Sequence, residues 1–301
     1  MRNRRSLPAA LAFCSTLSVH APALLALTAA LPTLVACDDS AKRSEQAAVA
    51  TLAQVSPLID KDMAAVRDGL PDGAKLLGTE LPTDAASDLK GTQEAIQRTR
   101  EKTDSLRLAK STFFVFTGAD GVVIRSQNDP DRLVEKNVFT AFPDLKKAAD
   151  PKSGVAEAFG SMEEMRGVKK GDDMEWVLSA PVVGKDGKLR GTFTSGWSFR
   201  LYAYYLEQQA KRYLDDQAKT SSDHKIPVMY VYIVKGSKAY GAPDTPDPNA
   251  DAVGKLDLGS KVKSGSYRTH VEITGRVFGV AADPAKGFGD DAAIVVVASV
   301  Y

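Results

Sequence analysis

Apolar residues Leu52, Val55, Ile59, Met63, Val66 and Leu70 recur at intervals of three and four, the spacing of one stripe on an amphipathic helix. Ser56-Pro57 interrupts the stretch as a cap followed by a first helical position, and Pro71-Asp72-Gly73 reads as its closing turn. A second helix is predicted over 83–108. Its thin apolar face (Ala86, Leu89, Ile96, Leu106) among many charges suits a half-exposed helix lying over something flatter. That flatter element follows at once. Residues 112–117 (TFFVFT) are dense in β-branched and aromatic side chains, Gly118-Ala119-Asp120-Gly121 is turn chemistry, and 122–126 returns as a strand. Residues 128–165 read as an irregular, partly helical crossover carrying Phe139, Phe142 and Leu145. A hairpin is predicted from 175–183 and 189–198, and a helix over 199–219 with Tyr202, Tyr205, Leu206, Ala210 and Tyr213 on one side.

The remainder repeats the plan. The run 228–234, a turn at Lys235-Gly236-Ser237 and 238–240 echo the first strand pair, and 277–282 with 292–300 echo the hairpin. Strand-turn-strand, crossover and hairpin in the same order twice point to an internal duplication that shares pattern more than identity.

The first residues change the picture. Arg2, Arg4 and Arg5 precede a stretch without lysine or acidic residues, broken by Pro8, His20, Pro22 and Pro32 and ending in Leu34-Val35-Ala36-Cys37 before Asp38-Asp39-Ser40. A basic head, an apolar body and a small-residue cleavage site describe an export signal. The interior prolines argue against a membrane-spanning helix, which needs on the order of 20 apolar residues in helical continuity. The final four residues resemble the lipobox of bacterial lipoproteins. The resemblance implies cleavage before Cys37, acylation of its thiol and anchoring to membrane lipid, with the body in the periplasm or outside the cell. Asp38 resembles the signal that retains such proteins in the inner membrane. On this reading residues 1–36 are the signal peptide and 37–50 a polar tether.

Composition then narrows the function. The chain carries 39 Lys and Arg against 38 Asp and Glu, and loss of three arginines with the signal tips it slightly acidic, which gives no electrostatic case for nucleic acid. Of the two cysteines, Cys14 leaves with the signal and Cys37 is the acylation site, so no disulfide is expected. His224 and His270 stand far apart without the spacing of metal ligands, and no phosphate loop, nucleophile elbow or haem-attachment motif occurs. These absences lead us to expect no cofactor, no metal and no enzyme activity.

Residues 114–123 (FVFTGADGVV) with Arg125-Ser126, then Val134 to Phe139, then Ser179-Ala180-Pro181-Val182-Val183 before Lys185-Asp186-Gly187 and Gly191, resemble Cache domains. The resemblance implies an α+β fold with long N-terminal helices packed on PAS-like antiparallel sheets. Here it gives a first Cache-like module within 51–198, a connecting helix at 199–225 and a second, reduced module at 226–301. It also implies an extracytoplasmic sensor that binds a small molecule under the crossover. Period-two alternation sets Trp176 on one face of its strand, and Ser195 with Trp197 on one face of the next. With Phe116, Arg125 and Phe139 these are the candidate ligand residues, the arginine as a bidentate carboxylate clamp and the indoles as walls. Plain core packing is the competing role for the tryptophans, and a solvated strand end for Arg125. Since no output segment is seen, occupancy would be reported to a separate membrane signalling protein. The rival reading is an envelope scaffold that uses a PAS-like fold only to dock proteins.

Mass spectrometry of the protein from its native membrane is expected to find Cys37 as the first residue, carrying acyl chains. An unmodified thiol at that position contradicts the lipobox reading.

Overall fold

One helix organises the rest. In a computed structural model, which describes residues 31–110, 113–165, 171–220 and 226–300, helix α1 runs from Leu31 to Glu80. The chain divides into the segment 1–38 and a body of 39–301. Residues 1–30 of the expected signal lie outside the described residues, as do 166–170 and 221–225. The predicted break at Ser56-Pro57 and the turn at Pro71 do not occur, and both prolines stand inside α1. An interior proline costs about 3 kcal/mol, but the stripe predicted for the helix is fully used. Leu52, Val55, Ile59, Met63, Val66, Leu70, Ala74 and Leu77 are all buried, and burial of each large one contributes roughly 1.5–3 kcal/mol. Packing wins over local propensity. The expected tether at 37–50 is likewise helical; Ala48 is fully buried and Ser44 accepts the Val300 backbone N–H at 3.0 Å.

The single helix predicted over 83–108 is two, α2 (Leu89–Lys102) and α3 (Asp104–Leu108). Asp88 caps α2 through the Gly91 N–H at 2.8 Å, so the helix starts later than Thr83. Strands β1 (Phe113–Thr117) and β2 (Val123–Ser126) follow. The crossover holds α4 (Val138–Ala141), a 3-10 turn at Pro143–Ala149 and β3 (Ala156–Gly160), and leads to β4 (Glu175–Val183) and β5 (Leu189–Ser198). Helix α5 (Phe199–Thr220) leads to β6 (Val228–Lys235), β7 (Lys238–Gly241), α6 (Asp247–Gly254), α7 (Leu258–Lys261), β8 (Tyr267–Ile273), β9 (Arg276–Pro284) and β10 (Ala292–Ser299).

Two antiparallel five-stranded sheets result, in the orders β2-β1-β5-β4-β3 and β7-β6-β10-β9-β8. Strand for strand the orders correspond, so the duplication read from the sequence is a duplication of topology. The edge strands β3 and β8 complete both sheets and were absent from the sequence reading. The body therefore has the α+β, PAS-like architecture that the Cache resemblance implied.

Alternation along the strands divides the interior into three cores. One face of each sheet turns toward α1, α2 and α5 and joins a single core that includes Phe114, Phe116, Trp176, Phe193 and Trp197 from the first sheet and Val231, Ile233, Ile294 and Val296 from the second. The opposite face of each sheet carries a separate core under its own crossover. The long helix serves both sheets. Near its start it crosses β9 so closely that a Cβ on Gly279 would land in the backbone of Ser44 and Glu45, and near its end Gly78 lies against the Val183 carbonyl of β4. Among the described residues no helix is long and apolar enough to cross a membrane.

Gly78→Val and Gly279→Val are each expected to lower unfolding free energy in urea melts by about 1–3 kcal/mol, since neither backbone contact can yield without moving α1. Unchanged melting would contradict this helix–sheet contact.

Candidate ligand-binding site

The six candidate ligand residues do not gather at one site. Phe116, Trp176 and Trp197 belong to the core facing the helices, and Ser195 shares their face through its alternation with Phe193 and Trp197. Phe139 alone lies on the crossover side, packed over Gly121. Arg125 pairs in register with Phe116, so it too sits on the helix side of β2. Its guanidinium is directed to Asp131 at 3.4 Å, whose carboxylate also accepts the Ser126 N–H at 2.6 Å. Arg125 thus fixes the loop after β2. Ser195 donates to the Phe113 carbonyl of the neighbouring strand at 2.9 Å.

The tryptophans form a joint. Trp176 and Trp197 stand 4.3 Å apart between ring centres, and Trp197 stacks on Tyr202 of α5 at 4.5 Å. The Tyr202 hydroxyl donates to Asp62 of α1 at 2.8 Å. Burial raises the Asp62 carboxyl above its usual range against the pull of that bond, and burial beside Asp62 lifts the tyrosine further. Trp176 donates through Nε1 to Glu157 at 2.6 Å, and Glu157 accepts a two-point contact from Arg67 of α1 at 2.7 and 3.0 Å. Phe288, from the loop between β9 and β10, meets Trp197 edge-on at 6.4 Å and Phe199 at 4.8 Å. This aromatic group therefore ties the first sheet to α1, α5 and the second sheet's loop.

The crossover face of the first sheet has a different character. Register places Thr117 beside Thr192, and Thr194 beside both Val115 and Ser179. All four hydroxyl residues are fully buried. They form one chain: Thr117 to Thr192 at 2.7 Å, Thr192 to Thr194 at 3.4 Å and Thr194 to Ser179 at 2.8 Å, ending where Thr117 donates to the Gly118 carbonyl at 2.9 Å. A carbonyl can only accept, so that end fixes the direction of the whole chain. Thr192 then donates to Thr117, Thr194 to Thr192, and Ser179 to Thr194. Every hydroxyl proton is used and lone pairs remain. The row is an acceptor surface. It is walled by Phe113, Val115 and Val177, and the crossover packs Phe139, Phe142, Leu145, Met162 and Met165 onto the same core.

Sequence reasoning missed these hydroxyls because threonine is an ordinary strand residue. Only the register that aligns Thr117, Thr192, Thr194 and Ser179 sets them apart. Among the described residues no group of histidine, cysteine and carboxylate side chains could hold a metal ion.

No protein family model matches the chain, and no curated protein is similar to it. Solved structures are. A domain assigned to the sensory box/GGDEF family from Vibrio parahaemolyticus matches with a TM-score of 0.50 at 9% identity, over 86% of this chain and 97% of that one. The sensor domain of the histidine kinase DctB from V. cholerae matches at TM-score 0.41 and 12% identity, over 90% of this chain and 98% of that one. An extracellular ligand binding receptor from Desulfohalobium retbaense matches at TM-score 0.45 and 10% identity, covering 83% of this chain. This chain spans only 39% of that receptor's length. The first of these likenesses establishes the fold that the strand motifs resembled.

Proposed function

We propose that this protein is a lipid-anchored, extracytoplasmic sensor domain that binds a small molecule bearing hydrogen-bond donors beneath the crossover of its first sheet. Cys37 supplies the anchor, and a separate membrane signalling protein receives the signal. The row Thr117–Thr192–Thr194–Ser179 carries this reading. Four buried hydroxyls in mid-sheet are costly where valine would fill the same space, since burying a hydroxyl costs about 1–3 kcal/mol before its bonds are counted. Their spare capacity is all acceptor, which suits an amine, amide or hydroxyl group on the ligand. Of the residues singled out from the sequence, Phe139 lies on this face and forms part of the lid; Trp176 and Trp197 act in the aromatic joint, Arg125 at the β2 loop, while Phe116 packs in the helix-side core and Ser195 bonds the Phe113 carbonyl.

Phe139 and Phe142 of the crossover fill the core on this face of the sheet, so the crossover lifts to admit the ligand and reseats on it. The joint of Trp176, Trp197 and Tyr202 lies on the opposite face of the same strands, so strain in β4 and β5 reaches α1 directly. Among the described residues the one carboxylate that alternates onto this face of β4, Glu175, accepts the Met162 N–H at 3.0 Å, so the reading is one of binding. A second reading, the docking scaffold, is favoured by one observation: the crossover's own side chains already fill the space above the sheet.

A thermal-shift screen of the purified mature protein against amino acids, organic acids, purines and polyamines separates the two. A ligand at 100 times its dissociation constant is expected to add about 2.7 kcal/mol of stability. Thr194→Val is expected to weaken that ligand about tenfold, the loss of one hydrogen bond of roughly 1.4 kcal/mol, while Arg125→Ala leaves affinity unchanged. No hit in any class, with a Thr194→Val protein as stable as wild type or more so, would favour the scaffold.

A further inference from the structure

Each sheet ends in two outer strands, and three of these four are short: β2 and β7 have four residues and β3 has five. Strand β8 has seven, holds no proline, and pairs with β9 in an unbroken register from Tyr267 to Ile273. An unguarded outer strand of that length is a template for another strand. The hairpin turn fixes which of its backbone groups are free. Only Thr274 and Gly275 separate Ile273 from Arg276, and both have positive φ, at 50° and 78°. A two-residue turn makes its flanking residues a hydrogen-bonded pair, and such pairs alternate along an antiparallel ladder. Ile273, Val271, Thr269 and Tyr267 therefore bond to β9, while Glu272, His270 and Arg268 turn their N–H and C=O groups outward. Among the described residues those outward groups meet only the Thr269 hydroxyl, which donates to the His270 carbonyl at 3.5 Å.

The side chains of β8 are self-complementary about His270. A reversed copy of the strand centred there sets Arg268 opposite Glu272 and Glu272 opposite Arg268 on one face. On the other face Thr269 meets Val271 and Tyr267 meets Ile273. Arg268, His270 and Glu272 are exposed, and Tyr267, Thr269 and Val271 are half-exposed. Neither Arg268 nor Glu272 has an ion-pair partner among the described residues. The same register joins the outward backbone groups, since Arg268, His270 and Glu272 then exchange hydrogen bonds with Glu272, His270 and Arg268 of the copy. Moving the copy by two residues puts one charge against His270 and leaves the other opposite Ser266 or Thr274. Charge and backbone thus select one pairing.

Helix α1 leaves room for the second copy. It crosses β9 at Gly279, the residue paired with His270. Two such crossings would lie three strand spacings apart, about 14 Å, which exceeds the roughly 10–12 Å diameter of a helix with its side chains. The space between the helices takes the side chains of Arg268, His270 and Glu272 from both copies. We propose that two copies of this protein associate by antiparallel pairing of β8 with β8 about a two-fold axis at His270. Their second sheets then form one continuous sheet of ten strands. The contact uses the same surface on both copies, so it closes at a dimer. It is independent of ligand binding under the first crossover.

Cysteine cross-linking of the mature protein tests the register, with the wild type as control for Cys37. His270→Cys is expected to give a disulfide-linked dimer on mild oxidation, because a hydrogen-bonded pair sets its Cα atoms about 5.5 Å apart, within disulfide reach. Arg268→Cys and Glu272→Cys are each expected to stay uncrosslinked alone and to cross-link when mixed. Sedimentation in detergent tests the charges. Arg268→Glu is expected to weaken the wild-type dimer about tenfold, and the double variant Arg268→Glu/Glu272→Arg to restore it. His270→Pro, which removes an outward N–H and no bond to β9, is expected to be folded and monomeric. No cross-link in His270→Cys, or one as strong in Arg268→Cys alone, would overturn the proposal. So would a wild-type protein that sediments as a monomer at micromolar concentration, or a charge swap that leaves the dimer as weak as Arg268→Glu does.

Discussion

The apolar stripe of α1 is the surface on which both sheets are built. From Ala48 to Leu77 it is buried almost without interruption, first against the second sheet and then against the first. Neither sheet has another partner of that extent for its inner face, so each depends on the same helix. The two close backbone approaches, Glu45 on Gly279 and Gly78 on Val183, hold the helix at both ends of the body. A helix bearing two interior prolines keeps its course because this burial outweighs what the prolines remove.

A shared helix gives the two modules a common mechanical element. The first sheet turns its hydroxyl row outward, under the crossover, and its tryptophans inward onto α1 and α5. Each strand of the pair β4 and β5 carries both kinds of residue by simple alternation. A change in how those strands sit under the crossover therefore has a short route to the Tyr202–Asp62 bond and to Phe288 of the second module. A packed interior of this kind transmits small displacements because it has few voids to absorb them.

Much of the fold was legible in the sequence. The hairpins flanking Gly118–Gly121 and Gly184–Gly187, the helix after Ser198 and the second copy of the plan all announce themselves through alternation and turn residues. Three features did not. The continuity of α1 through Pro57 and Pro71 is decided by tertiary burial, which outvotes the local breaker signal. The edge strand Ala156–Gly160 has no β-branched residue and is held by its pairing with β4. Tyr267–Ile273 sets Arg268, His270 and Glu272 on its outer positions, so only half of it is apolar, and it is placed by its pairing with β9. The site was less legible. Alternation correctly grouped Trp176, and Ser195 with Trp197, yet which face turns to the crossover is fixed only once the sheet is docked on α1. Arg125 is claimed by Asp131 just six residues on, a local pairing that a carboxylate-clamp reading overlooks.

Native-state hydrogen exchange followed by mass spectrometry addresses the shared helix most directly. If α1 holds both sheets in one cooperative body, amides of β4 and β5, of β9 and β10, and of α1 from Ser44 onward open with a common free energy equal to that of global unfolding. Opening of β9 and β10 at a distinctly lower free energy, with β4, β5 and the whole of α1 still protected, would contradict it.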